Sequence, residues 1–562
     1  MSSIMRVFAA TTIVLGLTLP ASADGEMPTI TIVLNSPKEL LSDLEYIIKL
    51  AGEDGEDQWE TISETLEVFL GGIERGKPLR VDILTNEGVE YRISVPVDDI
   101  ESFIENLDSF GATAEDAGKD LYELGGDLFE EEAAWMQVSK GYAILSLNKK
   151  LVQEFDPTKG LADLAKKHDL GVHVENSKDG QEARREFVQE LAEQLLAGLE
   201  KKDGEAQGDF DFKKRLLQTQ LQEGERFFAE AAKLVLGWTT DQEAGEGRLA
   251  LELTAIGETE LLKSIEMLGE KASYFEKIAK PDDAILFGKL NHPLDDMRKK
   301  NISDLIELAR KAGLSKIEDA ETRSDDEKAK GTEGLGMFLD MLNDGVKAGV
   351  ADGFVQVRDN DGKHTMVGGI ATPDGTKMIE FLNLFAAGKK TREVKLDVDS
   401  DGDVKIHSVS VPEKYQDLFT AFFSEDTKLY VGTSKEAVWF STGHNAVAEM
   451  NAGISAVNAE GEAEVSKTFI ELFVKVGPWI KFIDERRVKA EKENPPSDDE
   501  KEANAMRDKL RSMAIEAFDK GDDTIHTTIG RVDDHVEGVT KFGKGILRFI
   551  GMAIADFAEQ TL

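Results

Sequence analysis

The alternation of apolar and polar positions predicts short strands and amphipathic helices along most of the chain. Two distant stretches, "AWMQVSKGYAILSLNKKLV" (134–152) and "KLYVGTSKEAVWFSTGHNAV" (428–447), share one pattern: an apolar strand, a turn containing Ser-Lys, and a second strand. Alternation with a period of two residues, bounded by turn residues, predicts a β-hairpin in each stretch. The recurrence of this pattern suggests an internal repeat, which has to be examined before a fold is assigned.

The predicted elements before these hairpins also recur. A strand, a Pro-containing turn and a helix begin at Thr29 and again at Asp282. We expect the two helices to end at Gly52 and Gly313, because glycine commonly terminates helices. A second helix follows in each copy.

A hairpin and a capped helix come next in both copies. The hairpin turns are predicted at Glu87-Gly88 and Asp361-Gly362, because glycine supplies the positive φ of a tight turn. The helices that follow begin near Asp98 and Asp374, whose carboxylates can accept hydrogen bonds from free backbone N–H groups.

Each copy is then predicted to contain a pair of long helices. They span 181–201 and 209–236 in the first copy, and about 464–492 and 498–518 in the second. Their apolar residues recur at helical spacing, which is typical of packing against a sheet, with a groove or a coiled coil for a partner as the alternative. The segment "FIELFVKVGPWIKFI" (469–483) is apolar enough to be buried between the two copies or to line a lipid or apolar-ligand pocket.

The predicted fold class is α+β, because hairpins are followed by runs of helix and do not alternate regularly with them. We expect two tandem pseudo-symmetric units, 24–280 and 281–562, each with antiparallel or mixed sheet hairpins covered by long amphipathic helices.

The first residues have the pattern of a signal peptide. Arg6 precedes an apolar run over 7–20, and Ala21-Ser22-Ala23 are small residues of the kind that precede a cleavage site. We therefore predict a signal peptide of residues 1–23, cleaved after Ala23, and an exported mature chain in the periplasm or outside the cell. No later segment is long and apolar enough to predict a transmembrane helix.

Composition narrows the classes of function. The formal net charge is -42, with 109 acidic and 67 basic side chains, so we expect no nucleic-acid partner and an attraction for cations or basic partners. Because the acidic residues are scattered through every segment and do not form one tail, we interpret the acidity first as serving solubility, with the attraction for cations or basic partners as the alternative. The chain contains 0 Cys, which excludes disulfides, thiolate metal sites and a cysteine nucleophile.

One acidic stretch, "DVDSDGDVKIHS", resembles the start of a calcium-binding loop. Asp397, Asp399, Asp401 and Asp403 stand in the order of the early ligands. The twelfth position is Ser408, where a bidentate Glu is needed, and the flanking residues alternate like strands. The stretch is therefore predicted to be a tight acidic β-turn, with a weak Ca²⁺ site as the alternative and Ca²⁺ as the one possible cofactor.

Other catalytic and cofactor motifs are missing from the sequence. The 8 His are scattered without the i, i+4 spacing of a zinc-binding helix. Neither a nucleophile elbow nor a P-loop nor a dinucleotide fingerprint is found. "GTEGLG" (331–336) lies where the first copy has a helix, so it is not predicted to bind a nucleotide. No catalytic or cofactor-binding residue is assigned.

The leader, the strand "PDDAILFGKLNHPLDDM", the hairpin "LYVGTSKEAVWFSTGHNAV" and the acidic pair of long helices together resemble large secreted α+β proteins of unknown function from planctomycete-type bacteria. This resemblance covers most of the mature chain and implies a location in the cell envelope. It implies no catalytic residues.

The sequence thus predicts an exported protein of the envelope, with a binding or structural role in preference to an enzymatic one, and with an apolar ligand or a protein partner between its two related halves. The alternatives are a periplasmic hydrolase with an unrecognised carboxylate site and a Ca²⁺-dependent surface component.

Overall fold

The structure is a computed structural model that describes residues 29–84, 89–126, 133–153, 155–320, 324–360, 362–386, 393–423, 428–461 and 465–561. The predicted signal peptide 1–23, the turn at Glu87-Gly88 and Asp361 lie outside these residues.

The chain forms two compact units. Unit 1 contains the described residues of 1–194, 223–261 and 547–562, and unit 2 contains those of 195–222 and 262–546. The predicted boundary between residues 280 and 281 separates the two copies of the predicted sequence repeat, whereas the compact units are defined by contacts. The boundary therefore stays a prediction.

The strands of unit 1 are β1 Thr29–Leu34, β2 Leu79–Leu84, β3 Glu90–Pro96, β4 Thr113–Gly118, β5 Leu121–Gly125, β6 Ala134–Ser139, β7 Tyr142–Ser146, β8 Leu170–Glu175, β9 Ala231–Asp241 and β10 Glu246–Ala255. The strands of unit 2 are β11 Ala284–Pro293, β12 Val350–Asn360, β13 Lys363–Ala371, β14 Val394–Asp401, β15 Val404–Ser410, β16 Lys428–Thr433, β17 Ala437–Gly443, β18 Thr468–Lys475, β19 Thr524–Val532 and β20 His535–Phe542.

The helices that precede β11 in the chain are α1 Pro37–Lys49, α2 Glu53–Phe69, α3 Ile100–Ser109, α4 Lys149–Gln153, α5 Leu161–Ala165, α6 Gln181–Ala197, α7 Gln207–Glu230 and α8 Glu260–Met267. The later helices are α9 Asp296–Glu318, α10 Asp325–Ala348, α11 Lys377–Ala386, α12 Glu413–Phe423, α13 Ala446–Asn458, α14 Val476–Glu493, α15 Asp498–Asp519 and α16 Lys544–Thr561.

Both units contain an antiparallel sheet with many short connections. In unit 1 the strands lie in the order β4-β5-β6-β7-β3-β2-β1-β8-β9-β10. In unit 2 the order is β14-β15-β16-β17-β13-β12-β11-β18-β19-β20. Helices pack on these sheets, so the predicted α+β class is confirmed.

Strand alternation buries both faces of the sheet in unit 1. On β7, Tyr142 and Ile144 pack with residues of α4 and α5 on one face. Ala143, between them, packs with Phe103 of α3 on the other face. Because both faces are covered, neighbouring positions of the strand are equally apolar.

Unit 2 has the same two-faced burial. Trp439 of β17 is fully buried in an aromatic cluster with Phe275 and Phe354. Its neighbour Val438 packs on the opposite face with Met341 of α10 and residues of α11.

Several sequence predictions are confirmed. The two hairpins that share the Ser-Lys turn are β6–β7 and β16–β17. The hairpin predicted to turn at Gly362 is β12–β13, and this glycine has φ +78°. The helix predicted near Asp98 is capped by Asp99, whose carboxylate accepts hydrogen bonds from the backbone N–H groups of Glu101 and Ser102.

The predicted helix end at Gly313 is wrong, because α9 continues to Glu318. A Cβ atom on Gly313 would lie only 2.6 Å from Cδ2 of Leu335 on α10. The glycine therefore allows two helices to approach closely and does not terminate either of them.

Two of the predicted long helices are wrong in part. Residues 231–236 belong to β9, and β18 occupies 468–475 within the predicted helix 464–492. Each strand lies between two others, β9 between β8 and β10 and β18 between β11 and β19. A strand enclosed in this way has a continuous apolar run, which periodicity alone does not distinguish from a helix.

The apolar stripe predicted on α15 is buried only near the C-terminal end of the helix. Ala517 and Phe518 are buried, whereas Met506 and Leu510 are 59% and 41% exposed. Packing along the whole stripe is therefore not observed. Of the helices in the described residues, none has the length and apolar character needed to span a membrane.

Candidate functional site

The candidate site is built on α10, whose two ends are well defined by the sequence. Ser324 caps the first turn, and it forms a reciprocal capping box with Glu327. Gly349 follows the last turn with φ +81°, a conformation that favours glycine. Between these ends the helix presents one apolar face.

Residues at helical spacing on α10 and α11 form one wall of a pocket in unit 2. On α10 they are Phe338, Met341, Leu342 and Gly345, and on α11 they are Met378, Phe381 and Leu382. Positions three, four and seven residues apart share one face of a helix, so both helices direct apolar groups to the same space.

The sheet supplies the opposite wall. Its lining residues come from the end of β13, from β15, β16 and β17, and from the residue after β13: Ile370, Ala371, Thr372, Val409, Leu429, Val431, Val438, Trp439 and Phe440. Val431 and Val438 are buried on the sheet face that α10 and α11 cover.

The resulting cavity has a volume of about 310 Å³ and an almost entirely carbon surface. Leu382 and Val431, which are 4% and 7% exposed, lie at its floor. Phe338 and Ile370 are 37% and 48% exposed and therefore mark its opening. The volume is near the lower end of the range for small-molecule sites.

An ion pair joins the two helices beside the pocket. The Lys377 Nζ lies 2.7 Å from Oδ2 of Asp344, and the Lys347 Nζ lies 3.8 Å from Oδ1 of the same carboxylate. The hydrogen bond from Lys377 lowers the pKa of Asp344. None of these charged residues lines the cavity, whose lining side chains include no titratable group. The pocket is therefore suited to binding apolar groups and not to acid–base chemistry.

Unit 1 contains a second cavity, which is more open and more polar. It has a volume of about 650 Å³, and its lining includes Lys119, Gln137, Lys149 and Phe155. The Lys149 ammonium lies 3.8 Å from the centre of the Trp135 ring, a favourable cation–π distance.

The four aspartates of the predicted calcium turn lie on and just after β14. Asp397 is at a β-bulge with φ +49°, and its backbone N–H donates to Nδ1 of buried His407 over 3.1 Å. The Ser455 hydroxyl donates to Asp401. Asp403 lies in the hairpin, after Gly402.

Among the described residues, no group of three or more His, Asp or Glu side chains is placed to hold a metal ion. The hairpin predicted for this stretch is confirmed, since β14 pairs with β15. The weak Ca²⁺ site at Asp397, Asp399, Asp401 and Asp403 stays a prediction. The position of β14 at the end of the strand order offers another reason for these charges, because charged residues on an outer strand oppose pairing with another chain.

The histidines differ in their surroundings. His407 is fully buried, and its Nε2 lies 3.1 Å from the Thr433 hydroxyl. His526 and His535 lie beside Glu471 and Glu537. His173 on β8 is buried, and within the described structure neither of its ring nitrogens has a hydrogen-bond partner. Burial is the largest reason why the pKa of His173 falls to about 4.

The carboxyl group of Asp43, in unit 1, has a raised pKa. Burial is the main cause that raises the pKa of Asp43 on α1 to about 6, and the neighbouring carboxylate of Asp169 contributes. The amide of Gln242 donates to Asp43 over 2.9 Å, and Asp169 accepts from the backbone N–H of Thr240 over 2.7 Å. Neither aspartate lines the two cavities above.

Sequence reasoning missed the pocket, although its signal was present. The second helix predicted in the second copy, which contains the Gly-rich stretch 331–336, is confirmed as α10. The apolar-ligand alternative was instead assigned to 469–483, where Phe473 and Phe482 pack into hydrophobic clusters. The missed signal is the matching apolar spacing on two consecutive helices that flank a hairpin, α10 and α11.

Comparison of the chain with models of protein families, with curated proteins and with solved structures finds no match. The resemblance to secreted proteins of planctomycete-type bacteria stays a prediction.

Proposed function

We propose that this is an exported, non-enzymatic binding protein of the cell envelope, which holds a small apolar molecule in the pocket between α10, α11 and the sheet of unit 2. The observation that carries the proposal is the nearly pure carbon surface of a cavity of about 310 Å³. Such a cavity excludes ions and strongly polar molecules, because their polar groups would lose hydration without gaining partners.

The pocket also has the construction expected of a ligand site. Its floor is buried, its opening is marked by two partly exposed apolar side chains, and the Asp344–Lys377 ion pair ties its two helices together. Protein interiors are close-packed and rarely contain a space of this size. Because an empty apolar cavity destabilises a protein, an apolar ligand that fills it is stabilising.

The N-terminal pattern up to Ala23 supports export, and the absence of cysteine is compatible with an oxidising compartment. The high negative charge opposes binding to nucleic acid and to anionic membrane surfaces. A small ligand or a protein partner in the envelope is therefore the preferred interpretation.

We also infer that the two strand systems arose by duplication, as the sequence predicts. The order of strands in unit 2 repeats that in unit 1, with each label raised by ten. The matching positions of the helix pairs α1–α2 and α9–α10, and of α6–α7 and α14–α15, give further support.

Equilibrium binding of p-xylene to the mature protein, measured by titration calorimetry, tests the pocket. Gly345→Leu should block binding, because a Cβ atom on Gly345 meets no other atom within 4 Å and Gly345 lines the pocket. Gly224→Leu is the matched control, since Gly224 lies on an exposed position of helix α7 and its Cβ would also meet nothing within 4 Å.

Binding to the wild type and to Gly224→Leu, with loss in Gly345→Leu, would support the proposal. Failure of the wild-type protein to bind p-xylene and a panel of larger apolar compounds would refute it. Where the wild type does bind, native mass spectrometry of protein purified from its own envelope identifies the natural ligand as a mass excess that denaturation removes.

The alternative of a hydrolase with a carboxylate site has one observation in its favour, the raised pKa of Asp43 beside Asp169. A carboxyl group protonated near pH 6 can act as a general acid. The test is hydrolysis of a panel of p-nitrophenyl esters and glycosides, with Asp43→Asn as the inactive variant. Activity that Asp43→Asn retains would exclude this site.

A further inference from the structure

The opening of the pocket in unit 2 continues into a partly exposed apolar region of the same sheet face. Ile370 of β13 marks the opening and is 48% exposed. Across the strands, Ile370 lies directly opposite Gly353 of β12, and Gly353 lies directly opposite Leu290 of β11. Directly opposed residues of an antiparallel sheet share one face, so Leu290 lies on the pocket side of the sheet.

The neighbouring row of residues extends this surface to β18. Val355 of β12 lies opposite Gly288 of β11, and Gly288 lies opposite Leu472 of β18. Leu290 and Leu472 are 38% and 41% exposed. We call this surface the apolar strip, and its residues are Ile370, Gly353, Val355, Leu290, Gly288 and Leu472. The strip crosses four neighbouring strands, a width of about 14 Å.

The two glycines make the apolar strip a shallow furrow. The three atoms nearest to a Cβ atom added on Gly353 are backbone atoms of the adjacent strand β13. A Cβ atom added on Gly288 would meet, within 4 Å, only side-chain atoms of Val355 and Leu472. All of these atoms belong to the sheet, so no helix of the described structure lies over Gly288 at that distance.

The row that contains Leu472 becomes polar on the next strands. Leu472 lies opposite Thr527 of β19, and Thr527 lies opposite Thr540 of β20. The hydroxyl oxygens of the two threonines are 3.0 Å apart and form a hydrogen bond. The apolar strip therefore has a carbon-lined pocket at one end and polar side chains at the other.

The size of the apolar strip favours a hydrocarbon chain over a protein as its occupant. Four strands and two rows of residues cover about 100 Å², whereas a stable protein interface buries about 800 Å² on each partner. The pocket, with a volume of about 310 Å³, accommodates about ten groups of the size of a methylene. A longer chain that enters the pocket has to leave it at the opening, where Ile370 begins the strip.

We propose that the natural ligand is a lipid with a single hydrocarbon chain of more than about ten carbons, whose end fills the pocket and whose remaining part lies along the apolar strip. This inference rests on the proposed function of the pocket and adds the chemical class and the path of the ligand. The polar head of the lipid lies beyond Leu472, because the strip itself offers no partner for a polar group.

The test is a chain-length series of octyl, decyl, dodecyl and tetradecyl maltoside. Each is titrated into the full mature chain below the concentration at which it forms micelles. Full burial of one methylene increases affinity about fourfold, and contact on one side only, as on the strip, increases it about twofold. We expect a steep rise in affinity up to decyl maltoside and a further rise of about tenfold from decyl to tetradecyl maltoside.

Leu290→Gln places a polar side chain of similar size on the apolar strip. The matched control is Leu249→Gln on β10, because Leu249 is 39% exposed and does not line the pocket. Leu290→Gln should bind tetradecyl maltoside about 3- to 10-fold more weakly than the wild type. Its affinity for octyl maltoside should be unchanged, and Leu249→Gln should alter neither affinity.

The outcomes separate this inference from the proposed function. If p-xylene binds but affinity levels off beyond decyl maltoside, or if Leu290→Gln retains the wild-type affinity for tetradecyl maltoside, the strip does not hold the chain. An equal loss in Leu249→Gln would overturn the inference as well. If the wild type binds neither p-xylene nor octyl maltoside, the proposed function itself fails. Should Leu290→Gln not fold, an unchanged affinity of Leu472→Gln for tetradecyl maltoside would be equally decisive.

Discussion

Filling the pocket from within α10 should stabilise the protein and at the same time abolish the apolar-ligand binding that we propose for it. Gly345 is an interior residue of α10, and a Cβ atom placed on it has no neighbour within 4 Å. Gly345→Leu therefore adds four carbon atoms to a helix that tolerates them and to a space that is open. Most core substitutions destabilise, so a gain in stability is a distinctive outcome.

The expected gain in the free energy of unfolding has two contributions, one from helix propensity and one from burial of the new side chain. Replacing a helix-interior glycine with a good helix former contributes about 0.8 kcal/mol. Burying four carbon groups contributes up to about 3 kcal/mol, from which about 0.5–1 kcal/mol of lost side-chain freedom is subtracted. Measured cavity energies of about 24 cal/mol per Å³ lead to a similar upper value for a filled volume of about 120 Å³. The free energy of unfolding should therefore rise by about 2–3 kcal/mol.

The control variant Gly224→Leu separates the contribution of helix propensity from that of burial. Gly224→Leu on α7 should gain only the helix contribution of about 0.8 kcal/mol, because its added side chain also meets nothing within 4 Å but lies on the surface. Urea unfolding followed by tryptophan fluorescence measures both variants, with an unchanged m-value as the condition for comparison.

Ligand linkage supplies a second readout in the same assay. Excess p-xylene should raise the unfolding midpoint of the wild type and of Gly224→Leu, but not that of Gly345→Leu. Equal gains in stability for the two leucine variants, or a loss in Gly345→Leu alone, would refute the assignment of open space at Gly345.

Four further predictions concern charged and titratable groups. Asp82→Ala should destabilise unit 1 by about 3–5 kcal/mol in urea unfolding, because the fully buried carboxylate accepts from two arginines that would lose their counter-ion; a loss below about 1 kcal/mol would contradict this. His173 stays neutral in the folded state down to a pKa of about 4, while the unfolded chain binds a proton near pH 6.5, so stability should fall as pH decreases from about 6.5 to 4 and His173→Phe should flatten that slope. Asp43, whose pKa is raised to about 6, should have the opposite effect on the pH dependence of stability: its ionisation in the folded state lowers stability as pH rises from about 4 to 6. Asp43→Asn should therefore raise the melting temperature at pH 7 and leave it unchanged below pH 4. If the acidic turn binds Ca²⁺, chelation should lower the melting temperature and the double variant Asp399→Asn, Asp401→Asn should abolish that response, whereas an unchanged melt on chelation would exclude the site.

Local signals predicted the elements whose sequence has only one interpretation. The β6–β7 and β16–β17 hairpins combine period-two alternation with turn residues, and both were correct. The acidic cap of α3 was also found, one residue away at Asp99. Such signals depend on neighbouring residues alone, so no tertiary information is needed to interpret them.

The sequence predictions are wrong where the structure of a segment depends on a contact with residues far away in the chain. Gly313 was predicted to end a helix, but it lies inside α9. A Cβ atom at this position would come too close to Leu335 of α10, so the glycine serves the packing of two helices. The apolar run at 468–475 reads as helix, but it is strand β18 because β11 and β19 flank it on both sides. In both cases the deciding contact lies far away in the sequence.

The sequence by itself determined the α+β class, the hairpins, most of the helices and the absence of cysteine chemistry, because periodicity and composition act over a few residues or over the whole chain. Tertiary structure alone decided which apolar stripes are buried and where a space remains. Met506 and Leu510 continue a regular stripe and yet stay exposed, whereas Phe338, Met378 and Val438 converge on one pocket from three separate elements. A cavity is a property of how surfaces meet, so no local pattern specifies it until the sheet and the helices have been brought together.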